Sequence, residues 1–284
     1  MNIGKFTIDA VETCVFGLDG GAMFGVVPKA LWSKAYHPGD ELNRIPLSVR
    51  PLLVRWDDRI VLIDTGNGTK FKDKFAQIYA IDRDKSSIET ALLKFGISAN
   101  DITDVILTHL HFDHAGGGTT IKDGKIVPTF PNAKYYVQKN QLNWAIKPTD
   151  KDKASFVKDD YEPLIADGML ETIDGAWEIF PGISLIPLFG HTNSMQLVKI
   201  SDSGQSLLYC ADLSPTHAHI NIPFVMGYDN NPLTTIEEKK KLLPQAYEEG
   251  WLIAYEHDAF MQASKIISTE KGFTAGEKVE ITKY

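Results

Sequence analysis

The chain has 284 residues, 43% of them hydrophobic and 23% charged, which is ordinary for a globular protein with a sizeable core. Its 37 acidic against 29 basic residues give a formal charge of −8, which disfavours a nucleic-acid-binding face. Two cysteines exclude a disulfide framework, and no long apolar run marks a membrane span. Cys210, in an apolar run, is expected to be a buried thiol, with a single bridge to Cys14 left open. The N-terminus lacks the charged-then-apolar layout of a signal peptide, so a cytoplasmic protein is expected.

Residues 17–50 mix Gly17, Gly20, Gly21, Gly25, Pro28, Pro38, Gly39 and Pro46 with Met23, Phe24, Leu31 and Trp32, and read as one long ordered loop covering a pocket or a partner subunit. Residues 51–56 and 60–65 are apolar and β-branched and read as a hairpin ending at Asp64-Thr65-Gly66. A helix is expected from Ser86, with Glu89 completing a capping box and Gly96 ending it. Residues 103–108 read as a short buried strand leading into a loop closed by Gly116 to Gly118. Further strands are expected at 134–138, 183–188, 195–200, 206–211 and 251–255, and helices at 139–146, 154–167 and 234–249. Pro244 is expected to kink or shorten the last helix, on which Lys239-Lys240-Lys241 reads as a solvated face. Hairpins alternating with helices imply two layers of sheet with helices outside, in one domain spanning 1–284.

The loop after residue 108 carries His109-x-His111-x-Asp113-His114. Imidazole nitrogens and a carboxylate crowded into six positions are the donor set of zinc, iron, manganese or cobalt, in numbers that suit two ions. His191, Asp212 and His257 share the placement of His109, each polar and at the end of an apolar strand, so one site can be assembled from all of them. His37 and His219 are read instead as surface or hydrogen-bonded residues.

This ordered set, with Asp64-Thr65-Gly66 before it, resembles the metallo-β-lactamase superfamily over most of the chain. The resemblance implies an αββα sandwich with two divalent metals, zinc by default, at one edge. It places His109, His111 and His191 on the first metal, Asp113, His114 and His257 on the second, and Asp212 between them. Asp64 would orient a ligand histidine. The chain departs from the family's Gly-His-Thr-Pro-Gly turn, reading Gly190-His191-Thr192-Asn193-Ser194.

No flavodoxin-like domain, nucleic-acid-clamping insert or secretion signal is evident, which disfavours the oxygen-reducing, RNA-processing and β-lactam branches. Residues 20–29, 211–216 and 223–229 are similar to quorum-quenching lactonases and methyl parathion hydrolase. That similarity implies lactone opening, N-acyl-homoserine lactones leading, by a metal-bridging hydroxide with Asp113 holding or accepting the proton. Organophosphate triester or other ester hydrolysis is the alternative, and a non-catalytic metal-binding module a third reading. Some of these lactonases carry a tyrosine three residues after the bridging aspartate. Here that position is Pro215, and His217 is the candidate substitute. Met23, Phe24, Trp32, Trp144, Phe224 and Met226 are candidates for an apolar wall, and a homodimer is expected.

Overall fold

The computed structural model describes residues 1–283. Two seven-stranded mixed sheets face each other. The first runs in the order Asn2–Ile3, Phe6–Ala10, Leu52–Trp56, Arg59–Ile63, Asp104–Ile106, Lys134–Gln138, Leu170–Ile173. The second runs Trp177–Phe180, Ile183–Leu188, Met195–Asp202, Gln205–Tyr209, Leu252–Ala254, Ala263–Thr269, Gly272–Val279.

Alternation along the strands decides which layer each side chain fills. Leu52, Val54, Val61, Ile63 and Ile106 meet Ile183, Leu185, Leu197 and Leu207 of the other sheet in a shared core. Leu53, Leu62 and Val105 point the other way, onto Ile88, Ala91, Leu92, Ala145 and Leu164 of the covering helices. Strands buried on both faces are apolar at every position, which is why they read as continuous runs. The second sheet is backed by the helix Pro232–Glu248. This is the expected αββα sandwich.

The strands Arg59–Ile63, Asp104–Ile106 and Lys134–Gln138 are parallel neighbours, as are Gln205–Tyr209 and Leu252–Ala254. Ile183–Leu188 is two antiparallel steps from Gln205–Tyr209 and so runs the same way. The loops after residues 63, 106, 188, 209 and 254 therefore emerge at one edge of the sandwich.

Several local expectations need correction. Residues 17–50 are not one loop: Val15–Asp19 pairs with Arg44–Ser48 as an antiparallel hairpin, and the helices Gly20–Phe24 and Lys29–Ala35 lie between them. Trp32 stacks on Phe24 with ring centroids 5.5 Å apart, giving this excursion a core of its own. The cap of the helix Ile88–Leu93 is Ser87, whose hydroxyl accepts from Thr90 N, while the Ser86 hydroxyl donates to the Asp82 carbonyl. The stretch 154–167 is helical only as a short 3₁₀ turn at Lys158–Asp160 and the helix Glu162–Ala166, because Pro163 belongs in a first turn, where no N–H is needed. Pro232–Glu248 passes through Pro244 unbroken. The carbonyl of Lys240, which Pro244 cannot serve, sits on the solvent side of the helix. Lys239 is not solvated: it is fully buried and donates to the carbonyls of His219 and Phe224, each at 2.7 Å. Cys14 and Cys210 are both buried and free.

Candidate metal centre

The edge where the strand ends converge holds two groups of donors. His109, His111, His191 and Asp212 bring their ligand atoms within 4.8 Å of one another, and so do Asp113, His114 and His257. All seven are buried. Asp212 lies between the groups. Its Oδ2 is 3.0 Å from His191 Nε2 and 3.9 Å from His109 Nε2, whereas its Oδ1 is 3.3 Å from His257 Nε2 and 3.5 Å from His114 Nε2. Asp113 closes the second group, 3.8 Å from His257 Nε2 and 4.0 Å from His114 Nε2.

The backbone that presents these groups is held by close contacts. Gly117 N donates to the Gly66 carbonyl at 2.8 Å, and both N and Oγ1 of Thr65 donate to the His114 carbonyl. A Cβ on Gly116 would lie 2.2 Å from the Asn67 oxygen, and one on Gly68, whose φ is +65°, would lie 2.3 Å from the Gly116 oxygen. Only glycine lets the loops after residues 63 and 106 approach so closely. The half-buried Lys70 ties the same turn, donating to the carbonyls of Gly116 and Thr119 and pairing with Asp160 at 3.0 Å. In the 190–194 turn, Ser194 adopts φ +58°, so the left-handed conformation survives the loss of the family's glycine.

Four of the five imidazoles have their orientation set from behind. His191 Nδ1 donates to Asp229 Oδ1 at 3.0 Å, His257 Nδ1 to the Ser48 carbonyl at 2.9 Å, and His109 Nδ1 to Thr108 Oγ1 at 3.0 Å. His114 Nδ1 faces two carboxylates, Asp64 Oδ2 at 3.0 Å and Glu256 Oε2 at 2.8 Å. Asp64 is itself fixed by the amide and hydroxyl of Thr108, at 2.7 and 2.6 Å. The remaining nitrogens, Nε2 of His109, His191, His114 and His257 and Nδ1 of His111, point inward. There they face one another: His109 and His111 at 3.1 Å, His191 and His111 at 3.2 Å, His257 and His114 at 3.0 Å.

The electrostatics follow from burial. Desolvation and the neighbouring imidazoles hold His109 and His111 well below the usual histidine range, so both are neutral donors. Burial opposes charge on His191 as well, but Asp212 and Asp229 outweigh it and push that ring up to about 9. Burial and the nearby Glu256 raise Asp64 to about 7.

A divalent metal fits this arrangement. The neutral imidazoles of His109 and His111 meet at 3.1 Å beside a carboxylate oxygen, Asp212 Oδ1, that accepts no hydrogen bond, and such donors lack an acceptor of electron pairs. Fold and donor set together define a metal-dependent hydrolase. A family model described as "Metallo-beta-lactamase superfamily" matches residues 44–251, and the chain belongs to that superfamily. An N-acyl homoserine lactonase of Bacillus cereus is 27% identical over 236 residues, covering 78% of this chain and 84% of its own length. A probable metal-dependent hydrolase from Staphylococcus aureus superposes with TM-score 0.88 at 30% identity, covering 98% of this chain and all of that one. AidC, a dizinc quorum-quenching lactonase in complex with a product, shares the fold at TM-score 0.82 and 19% identity, over 98% of this chain and 96% of that one.

The cavity over the donors is lined by Leu18, Met23, Tyr79, Phe112, Met226 and Tyr228 among others. Of the apolar residues expected to form its wall, Met23 and Met226 do so. Phe24, Trp32 and Phe224 pack in the core of the 15–48 excursion, and Trp144 packs behind the first sheet, its indole N–H on Asp152 at 2.7 Å. His217 is not brought to the cavity: its Nδ1 is held by Asp258 at 2.5 Å. His219 is buried and neutral, donating to the Met23 carbonyl at 2.8 Å and stacked on Phe24, as a hydrogen-bonded histidine would be. His37 is half-buried at the surface, its Nδ1 accepting from Gly39 N. Sequence reasoning missed Asp229, Glu256, Ser48, Tyr79 and Tyr228. Glu256 directly precedes His257 and Asp229 ends a segment already singled out, so both carried a positional signal. Tyr79 follows an exposed helix and carried none.

Proposed function

We propose that the protein is a dinuclear hydrolase that opens lactone rings, with N-acyl-homoserine lactones as its substrates. The observation that carries the dinuclear reading is Asp212, whose two oxygens address two different histidine groups. His109, His111 and His191 would hold one ion, Asp113, His114 and His257 the other, with Asp212 shared and zinc the preferred metal. Two such ions, when bound, supply hydroxide at neutral pH and polarise a carbonyl.

The chain's own residues do the rest. Asp64, Asp229 and the Ser48 carbonyl orient imidazoles. Asp113, open to the cavity, can hold the proton that passes from the new carboxylic acid to the departing ring oxygen. Met23, Met226, Leu18 and Phe112 keep water from the reacting ester. Phe112 also borders a neighbouring cavity lined in part by Phe71, Phe75 and Val157, which suits an acyl chain leading away from the lactone ring. The 15–48 excursion contributes Leu18 and Met23, so it covers the site as a folded wall. Its exposed Val26, Leu31 and Leu42 support a homodimer, which sedimentation would test.

The deciding experiment loads the protein with metal and assays a lactone panel beside a phosphotriester, with His109→Ala as the control. Lactone opening well above the control supports the proposal. Turnover of the phosphotriester alone replaces it with the organophosphate reading.

A further inference from the structure

The hydroxyls of two phenols in the cavity over the donors have no hydrogen-bond partner among the described residues. Tyr79, at the C-terminal end of the helix Asp73–Ile78, and Tyr228, in the loop before Pro232–Glu248, both line the space over the donors. They enter from opposite ends of the sequence. The Tyr79 ring is wedged between Phe75 and Phe112, with centroids 4.6 and 5.2 Å away. The Tyr228 main chain is pinned by Lys151 Nζ, which donates to its carbonyl at 2.6 Å. The Tyr79 ring and the Tyr228 main chain are thus held, yet neither hydroxyl makes a hydrogen bond among the described residues. The other half-buried and buried tyrosines place theirs: Tyr36 on the Pro46 carbonyl, Tyr135 on the Gly118 carbonyl, Tyr136 on Asp104, Tyr161 on the Ala145 carbonyl, Tyr209 on the Arg50 carbonyl and Tyr255 with Ser264. A partly buried hydroxyl without a protein partner, facing a cavity, is a donor set aside for a ligand.

We propose that Tyr79 and Tyr228 are catalytic residues that donate hydrogen bonds to the ester group of the substrate as negative charge develops on its oxygens. The inference rests on the hydrolase reading above and adds the groups that contact the substrate. Burial raises the pKa of both phenols, and the nearby carboxylate of Asp113 adds to this, so both remain protonated donors at neutral pH. In the reaction a water-derived hydroxide forms a bond to the carbonyl carbon and moves the π pair onto the carbonyl oxygen. Collapse restores the carbonyl, breaks the bond to the ring oxygen and leaves the pair there. The proton of the new carboxylic acid then passes to that alkoxide. The phenols give up no proton; they stabilise the oxygen that carries charge at each stage. A ring-opened hydroxy acid presents the same oxygens, so it should also be gripped by them.

The test compares wild type with Tyr79→Phe and Tyr228→Phe, each loaded with metal. Steady-state hydrolysis of N-hexanoyl-homoserine lactone and calorimetric binding of its ring-opened product are measured, with metal content and melting temperature as controls. Each variant is expected to keep its metal and melting temperature and lose about tenfold or more in kcat with little change in KM, as for loss of one oxyanion donor. Product affinity is expected to fall about fivefold, the scale of one hydrogen bond. Values of kcat and product affinity both within about twofold of wild type, or losses that track loss of metal, would overturn the proposal. If wild type opens no lactone, the lactonase reading fails, and the phenol pair is judged on product affinity alone.

Discussion

His191 donates from Nδ1 to Asp229 Oδ1 at 3.0 Å, and with that bond made its Nε2 faces Asp212 at 3.0 Å. Asp229 never enters the donor cluster, yet it fixes the tautomer and tilt of a ring that does. Asp229→Ala is expected to weaken divalent-metal affinity about 10- to 100-fold. Competition with a chelating dye reads this directly, and an unchanged constant would remove Asp229 from the centre.

Asp212 lies between the two donor groups. Wild type is expected to hold about two ions per chain and His257→Ala about one, with the loss confined to the group containing Asp113 and His114. Elemental analysis of the metal-loaded proteins counts them. Hydrolysis by the variant is expected to fall about a hundredfold or more, as when a principal electrostatic contribution is removed. Equal stoichiometry in the two proteins would argue against two separate sites.

Burial pushes Lys239 down to about 8, whereas an unfolded lysine titrates near its ordinary value of about 10.4. Between those values the unfolded chain binds the extra proton, so stability contributed by this position rises with pH from about 8 to about 10.5. Below that window the lysine is charged in both states and its desolvation weighs on the fold. Urea titrations of wild type and Lys239→Met across this range are expected to show wild type gaining on the variant, by up to the order of 3 kcal/mol. Parallel curves would mean that the lysine titrates normally.

Gly116→Ala places a methyl group 2.2 Å from the Asn67 oxygen, a backbone atom that cannot swing aside. A loss of about 2 kcal/mol or more is expected in urea unfolding, on the scale of overpacking in a rigid interior. Metal affinity is expected to fall with it, because the displaced loop carries Asp113 and His114.

The strands at 134–138 and 183–188 and the helix at 139–146 were legible to the residue. The seven donors were legible because chemistry of that density is rare at strand ends. The 15–48 excursion was not: its glycines and prolines hide a hairpin whose register is set by pairing between residues 25 to 33 apart, such as Leu47 with Phe16. Lys239 was misread from its charge. Thr235, Lys239, Leu242, Leu243 and Ala246 form one buried helical stripe, and that spacing marked the lysine as inward-facing. Of the residues behind the imidazoles, Asp64 was legible and the others were hidden for a different reason. Asp229 and the Ser48 carbonyl become partners only once distant loops meet.

The glycine-to-backbone interlock between residues 65–68 and 116–117 bears on how the ions would arrive. A loop clasped by main-chain contacts and by Lys70 has its shape before any ion enters, so little ordering is left for the metal to drive. Stripping with a chelator would then leave a folded, refillable vessel, and successive refilling with zinc, manganese, cobalt or iron would compare the ions within one unchanged cage.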